Sequence, residues 1–118
     1  MPLLQIQTNL SSITDIQKNE LMSRGSQILA DEIGKSLEFV MVVVEKVASL
    51  YFQGDSQSPC LYASIKNIGI LSPALTTQLS QKLCKLFEEI LSVAPTRCYL
   101  EFQEIERHHW GWNAKTFA

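Results

Sequence analysis

The chain has 118 residues, which is enough for one domain, and nothing in its composition indicates a second one. Hydrophobic residues make up 46% of it and charged residues 19%, the balance of an ordinary globular protein. The net charge is −2 and no cluster of Lys or Arg stands out, so the sequence gives no electrostatic basis for binding nucleic acid or an anionic membrane.

The cysteines and the N-terminus indicate the compartment. Residues 1–9 lack the basic region and sustained apolar stretch of a signal peptide. The longest apolar run, 39–44, is far shorter than the ~20 residues of a membrane-spanning helix. The three cysteines are odd in number, widely spaced and without a Cys-x-x-Cys pair. We therefore expect reduced thiols in a cytoplasmic protein, with neither a disulfide framework nor a zinc site.

The first half of the chain predicts a strand, a helix and a second strand. Apolar and polar residues alternate from almost the first residue, as in a half-buried strand. Thr14 and Gln17 fit a capping box, and Gly34 suits a left-handed C-terminal position, so a helix is predicted over 15–33. Residues 39–44 are continuously apolar and largely β-branched, which is typical of a strand covered on both faces.

The second half repeats this order. Residues 60–68 alternate again and predict a strand. Ser72 can cap a helix whose first residue is Pro73, and Pro95 prevents that helix from continuing. A last strand is predicted over 97–105.

The two halves match in register. The caps Thr14 and Ser72 are as far apart in sequence as the strand openings Phe39 and Arg97. This indicates two tandem β-α-β units, about 1–57 and 58–118, within a single domain. Each crossover makes its flanking strands parallel, so the units merge into a four-stranded mixed sheet with two helices on one face, an α/β (α+β) fold.

The other face of that sheet would lack cover within one chain. We expect it to be apolar, with several of residues 39–44 and also Leu4, Ile6, Ile65 and Leu100 pointing away from the helices. An apolar face of that size needs a second subunit to cover it. The pattern thus predicts an oligomer and leaves the number of subunits open.

Short motifs along the whole chain carry a family resemblance. They are Pro2 after Met1, Thr8-Asn9, Gly34-Lys35, Ser64-Ile65 with Ile68-Gly69, the segment 95–99, and the closing Gly-Trp-Asn-Ala-Lys-Thr-Phe-Ala at 111–118. Together they resemble macrophage migration inhibitory factor and its tautomerase relatives. The resemblance implies the fold of that family, a symmetric homotrimer with active sites between subunits, no cofactor, and non-classical secretion despite the missing signal peptide.

The same resemblance implies keto–enol tautomerisation with Pro2 as the base. A chain-terminal amine has a reference pKa of ~7.7–8.0, and apolar surroundings lower that pKa further, so a neutral base is available near pH 7. Pro2 can act in this way only when Met1 has been removed, because its nitrogen is otherwise an amide.

The remaining site residues are also assigned by resemblance. Lys35 would bind the substrate carboxylate or polarise its carbonyl, and the backbone amide of Ile68 would add a donor. The implied pocket walls are Leu3, Phe39, Tyr99, Trp110, Trp112 and Phe117, with Tyr99 contributed by the adjacent subunit. Such a pocket suits an aryl 2-oxo acid, hence a phenylpyruvate tautomerase, or an enzyme resembling dopachrome tautomerase.

Two positions depart from the family pattern. Glu101 stands where the best-known members carry asparagine, and it adds a negative charge near a site for an anionic substrate. Ala63 replaces the second cysteine of the Cys-x-x-Cys in members with thiol–disulfide activity, which disfavours redox chemistry.

Other functions remain open at this point. The pocket could be vestigial in a protein that binds a receptor, or it could serve a dehalogenase or decarboxylase acting on an unsaturated acid. The latter needs arginines near Pro2, and Arg24, Arg97 and Arg107 occupy no recognisable motif position. His108 and His109 are adjacent in a segment expected to be extended, so they should point to opposite sides and bind no metal.

Overall fold

The computed structural model describes residues 1–118 and contains one four-stranded sheet and two long helices. The first half comprises β1 (Pro2–Thr8), α1 (Asp15–Ile33) and β2 (Met41–Lys46), and the second half comprises β3 (Leu61–Ile68), α2 (Pro73–Leu91) and β4 (Cys98–Ile105). Single 3-10 turns span Leu37–Phe39, Pro95–Arg97 and Arg107–His109, and the short strands β5 (Gly111–Trp112) and β6 (Lys115–Thr116) form a terminal hairpin.

Local sequence fixes both helices at their ends. The Thr14 side chain accepts a hydrogen bond from the Gln17 amide at 3.1 Å, and the Gln17 side chain accepts one from the Thr14 amide at 2.9 Å. Gly34 ends α1 with a φ of 76°, a left-handed conformation that costs glycine little. Ser72 caps α2 by accepting from the Leu75 amide at 3.2 Å. The predicted capping residues are confirmed.

The sheet joins two β-α-β units, as predicted. The strand order is β2-β1-β3-β4, with β1 parallel to β2, β3 parallel to β4, and β1 antiparallel to β3 in the centre. Consequently β2 and β4 each have one unpaired edge. None of the helices is both long and apolar enough to cross a lipid bilayer.

The core lies between the helices and one face of the sheet. Leu4, Ile6 and Ile65 have no exposed surface and pack with Phe87 of α2, and Leu100 packs against the same cluster. The expectation that these strand residues point away from the helices is therefore wrong. A period of two assigns residues to alternate faces, but it does not say which face the helices cover.

The face without helices mixes polar and apolar side chains, so it is less apolar than predicted. On it, the Gln5 amide donates to the Glu45 carboxylate at 3.1 Å, and the Tyr62 hydroxyl donates to the Glu101 carboxylate at 3.0 Å. The strand register also places Gln7, Ser64, Lys66 and Gln103 there, with Leu3, Met41, Val43, Ile68, Tyr99 and Ile105 among them. Of the predicted run 39–44, only Met41 and Val43 lie on this face.

The apolar run 39–44 is not the doubly covered strand that was predicted. Phe39 ends a 3-10 turn, β2 starts at Met41, and the strand lies at the sheet edge with Met41 63% exposed. Only Val42 and Val44 of β2 pack against the core. Continuous hydrophobicity cannot distinguish a central strand from an edge strand that another chain covers.

The cysteines are free thiols grouped around α2 and β4. Cys60 is buried, whereas Cys84 and Cys98 are half-buried. Burial, followed by the neighbouring Cys84, raises the pKa of the Cys98 thiol to about 12. A thiol with so high a pKa stays protonated at neutral pH and is a poor nucleophile.

Candidate active site

The start of the chain is held inside the fold. Pro2 begins β1, is buried, and pairs with Asn67 near the end of β3. Met1 precedes it and is half-buried. Two neighbouring clefts meet at this point, since Met1 and Phe117 line both of them.

The larger cleft, which we call the charged cleft, has a volume of about 730 Å³. Lys35 reaches it from the residue after the α1 cap, and Ile68 and Gly69 reach it from the end of β3. Ile105 through His108, together with Met1 and Phe117, complete the lining. The ammonium of Lys35 and the guanidinium of Arg107 make this cleft suitable for an anion.

The smaller cleft, which we call the aromatic cleft, has a volume of about 230 Å³ and includes Pro2. Phe39 and Trp112 meet edge to face with ring centroids 6.2 Å apart, and Trp112 stacks on Phe117 at 6.3 Å. Glu38, Val40, Met41, Trp110 and Gly111 form the rest of its walls. Four of the predicted aromatic side chains thus lie together beside Pro2.

The closing motif folds back over the chain start. Asn113 and Ala114, with φ values of 54° and 62°, turn the β5–β6 hairpin. The Phe117 amide donates to the Trp110 carbonyl at 3.2 Å, and Arg107 Nε donates to the Phe117 carbonyl at 2.8 Å. These bonds hold Phe117 between the two clefts.

The cleft shifts the titration of the chain-terminal amine. Burial, and then the nearby charge of Lys35, lowers the pKa of the Met1 amine below its ordinary value. In this chain Pro2 nitrogen is part of a peptide bond. After removal of Met1, Pro2 would carry the chain-terminal amine, at a position more buried than that of Met1.

Tyr99 and Glu101 do not share a cleft with Pro2 in one chain. Tyr99 pairs with Tyr62 near the start of β3, whereas Pro2 pairs with Asn67 near its end. The Tyr99 ring is 65% exposed and contacts Phe52 with centroids 4.6 Å apart. Leu3 also lies outside both clefts, on the helix-free sheet face between Met41 and Lys66.

Sequence reasoning passed over Arg107 as a site residue. Of the three arginines considered, Arg24 pairs with Glu89 at 2.7 Å and Arg97 binds backbone carbonyls of the loop before β3. Only Arg107 reaches the charged cleft. Its position depends on the 3-10 turn after β4, and no local sequence pattern predicted that turn.

The expected geometry of the two histidines is wrong. Residues 107–109 form a 3-10 turn, not an extended segment, so the His108 and His109 rings lie on the same side with centroids 3.9 Å apart. Glu106 Oε2 lies 3.4 Å from His108 Nδ1. The three side chains are exposed and can offer one ligand atom each, all within 4.8 Å of one another.

Comparisons with known proteins agree with this architecture over the whole length. Residues 1–118 match the family model described as macrophage migration inhibitory factor (MIF). The chain is 31% identical to the MIF homolog of Brugia malayi and 32% identical to the MIF of Meriones unguiculatus, over 100% of both chains in each case.

Solved structures show the same fold. The MIF homologue from Prochlorococcus marinus superposes with a TM-score of 0.91 at 30% identity, covering 98% of this chain and 99% of that one. The MIF-like protein from Entamoeba histolytica gives 0.90 at 28% identity, with 98% of each chain covered. Members of this family generally form oligomers and bind small substrates. Sequence match, strand order and the closing motif agree, and the chain belongs to the macrophage migration inhibitory factor family.

Proposed function

We propose that this protein is a keto–enol tautomerase for an aryl 2-oxo acid such as phenylpyruvate, with the Pro2 amine as general base once Met1 is removed. Family membership supports a tautomerase-type isomerase role in general. The observation that carries the specific proposal is the position of Pro2, which lines the aromatic cleft directly after Met1, where both clefts meet. At this place burial, and then Lys35, lower the pKa of the Met1 amine.

The amine of Pro2, the side chain of Lys35 and the amide of Ile68 can carry out the steps of keto–enol tautomerisation. A neutral amine takes a proton from C3 of the oxo acid, and the electron pair of that C–H bond becomes the C2–C3 double bond. The carbonyl oxygen accepts a proton, which gives the enol without any change in oxidation state. Lys35 offers a cation for the carboxylate or for the developing oxyanion, and the Ile68 amide offers a further donor.

The aromatic cleft favours an aryl substrate over a small aliphatic one. Phe39, Trp112 and Phe117 present ring faces and edges beside Pro2, and such surfaces stabilise an aromatic ring by about 0.5–1.5 kcal/mol per pair beyond area burial. The carboxylate of the same substrate would reach toward Lys35 in the charged cleft.

The proposal includes a homotrimer, in which a neighbouring chain would add residues to each active site. Tyr99 is exposed at the end of the sheet opposite Pro2, next to the 78% exposed Tyr51, and β2 and β4 have unpaired edges. Pairing of these edges between chains would bring Tyr99 of one chain to Pro2 of the next. Glu101, two residues further along β4, would approach the same site.

The test compares Met1-free protein, verified by intact mass, with protein that retains Met1, using the absorbance of the phenylpyruvate enol. We expect turnover only without Met1, and we expect Pro2→Gly to lower kcat/KM by about 10²–10⁴-fold. Pro73→Ala, an exposed proline at the start of α2, is the matched control. Full activity of Pro2→Gly would refute the proposal, and an inactive Met1-free protein would favour a binding role.

Arg107 supports one alternative chemistry. It supplies the further arginine that a dehalogenase or decarboxylase acting on an unsaturated acid needs near the proline, and it lines the charged cleft. Release of halide or CO₂ from such acids, in the absence of phenylpyruvate turnover, would favour this alternative.

A further inference from the structure

We propose that Glu106, His108 and His109 form a binding site for a divalent transition-metal ion of the Zn²⁺ class at the rim of the charged cleft. One ligand atom from each side chain lies within 4.8 Å of the other two. His108 Nδ1 and Glu106 Oε2 are 3.4 Å apart, close to the separation of two ligands on one tetrahedral ion.

The backbone of the turn brings these side chains together. The His109 amide donates to the Glu106 carbonyl at 2.9 Å, and the Trp110 amide donates to the Arg107 carbonyl at 3.4 Å. In a 3-10 turn, residues three apart lie one above the other, so Glu106 and His109 share a face. The ring of His108 lies against that of His109 with centroids 3.9 Å apart.

A side-chain hydrogen bond from Arg107 also connects the 3-10 turn to the C-terminal segment. Arg107 lies between the proposed ligands, and its Nε donates to the Phe117 carbonyl at 2.8 Å. That bond joins the turn to the C-terminal segment. The turn therefore presents its three ligand side chains on a backbone that is held at both ends.

The chemistry of the donor set selects the ion. Two imidazoles and one carboxylate are ligands that Zn²⁺, Cu²⁺ and Ni²⁺ prefer, whereas Ca²⁺ and Mg²⁺ prefer sites made of oxygen atoms. The three side chains are exposed, so small rotations can bring their ligand atoms to about 2.0–2.2 Å from an ion without disturbing the core. Three protein ligands leave a coordination position open.

The proposed metal site lies beside the charged cleft, so an anion in the cleft could occupy the open coordination position of the ion. Glu106 and His108 line the charged cleft together with Lys35. A bound ion would thus add positive charge where an anionic ligand enters. The metal ion and a small carboxylate should then each bind more tightly in the presence of the other.

The test titrates Zn²⁺ into chelator-treated full-length protein by calorimetry, and Co²⁺ absorption reports the coordination geometry. We expect one ion per chain and at least about tenfold weaker binding in His108→Asn, His109→Asn and Glu106→Gln, since each removes one ligand. Circular dichroism verifies that these variants fold.

Two control variants test whether the ion binds at these three residues or at another carboxylate or thiol of the chain. Glu20→Gln, an exposed carboxylate on α1, and Cys84→Ser, a thiol that could bind zinc, should leave the affinity unchanged. Wild-type protein that binds no Zn²⁺ at about millimolar concentration, unchanged affinity in both histidine variants, or loss of binding in Cys84→Ser would each overturn the proposal.

Discussion

Single residues decide the electrostatics around the chain start. Lys35 makes no ion pair in the fold and lies in the cleft that Met1 lines, so its charge acts on the chain-terminal amine directly. A positive charge disfavours the protonated amine and attracts a carboxylate, and both effects would serve the proposed proton abstraction from an anionic oxo acid. Arg107 adds a second cation to the same cleft.

Lys35→Met should therefore alter the pH dependence of turnover. Burial, and then the nearby charge of Lys35, hold the pKa of the Met1 amine below its ordinary value, so removal of Lys35 should raise the pKa of the chain-terminal amine, and the base becomes neutral only at higher pH. The acidic limb of the pH profile of kcat/KM should move to higher pH, with KM increased about tenfold. Lys18→Met, on the exposed side of α1, is the control. A profile that does not move would show that Lys35 lies too far from the base.

At the scale of elements, the loop before β3 depends on one side chain directly before β4, that of Arg97. Arg97 donates to the carbonyls of Phe52 at 2.6 Å, Ser58 at 3.0 Å and Pro59 at 3.3 Å. Its guanidinium also lies 5.5 Å from the centroid of the Phe52 ring, which contacts Tyr99. The position of Tyr99 thus depends on this loop.

Arg97→Ala should remove the hydrogen bonds that hold the loop before β3 and leave the two helices folded. Loss of charge-assisted hydrogen bonds from a side chain that is only 12% exposed should lower the free energy of unfolding by about 2–3 kcal/mol in urea titrations. Arg24→Ala removes a surface ion pair with Glu89 and should cost less than about 1 kcal/mol. Equal effects of the two substitutions would contradict the role of Arg97 as an anchor.

For the whole molecule, the distribution of polar and apolar surface favours association at edges and ends. The helix-free face combines polar pairs, such as Gln5 with Glu45 and Tyr62 with Glu101, with apolar side chains. The unpaired edges of β2 and β4 and the exposed apolar residues Met41, Tyr51 and Tyr99 are the surfaces that gain from burial.

A shared active site predicts complementation between inactive chains. In a trimer, the Pro2 of a Tyr99→Ala chain can meet the Tyr99 of a Pro2→Gly chain, so random assembly restores about a quarter of the sites. Co-refolded mixtures of the two variants should exceed the mean activity of the separate variants. Sedimentation should give three times the chain mass for all samples. Activity equal to that mean would indicate that Tyr99 does not act on a neighbouring chain.

The sequence by itself determined the elements and most of the residues around the chain start. Helix limits depend on residues three or four apart, such as the capping box of Thr14 and Gln17, so local patterns were sufficient for them. The family motifs brought Pro2, Lys35 and the aromatic closing segment into the prediction, and the structure gathers these residues at two adjoining clefts.

Only the tertiary structure decided what depends on contacts between distant segments. It assigned Leu4 and Ile65 to the core and a mixture of polar and apolar residues to the opposite face, because alternation along a strand does not specify which side the helices take. It also turned residues 107–109 into a 3-10 helix, which brought Arg107 into the cleft and the two histidines together. That turn is held by a hydrogen bond to the carbonyl of Phe117, ten residues further along the chain, which no short sequence window contains.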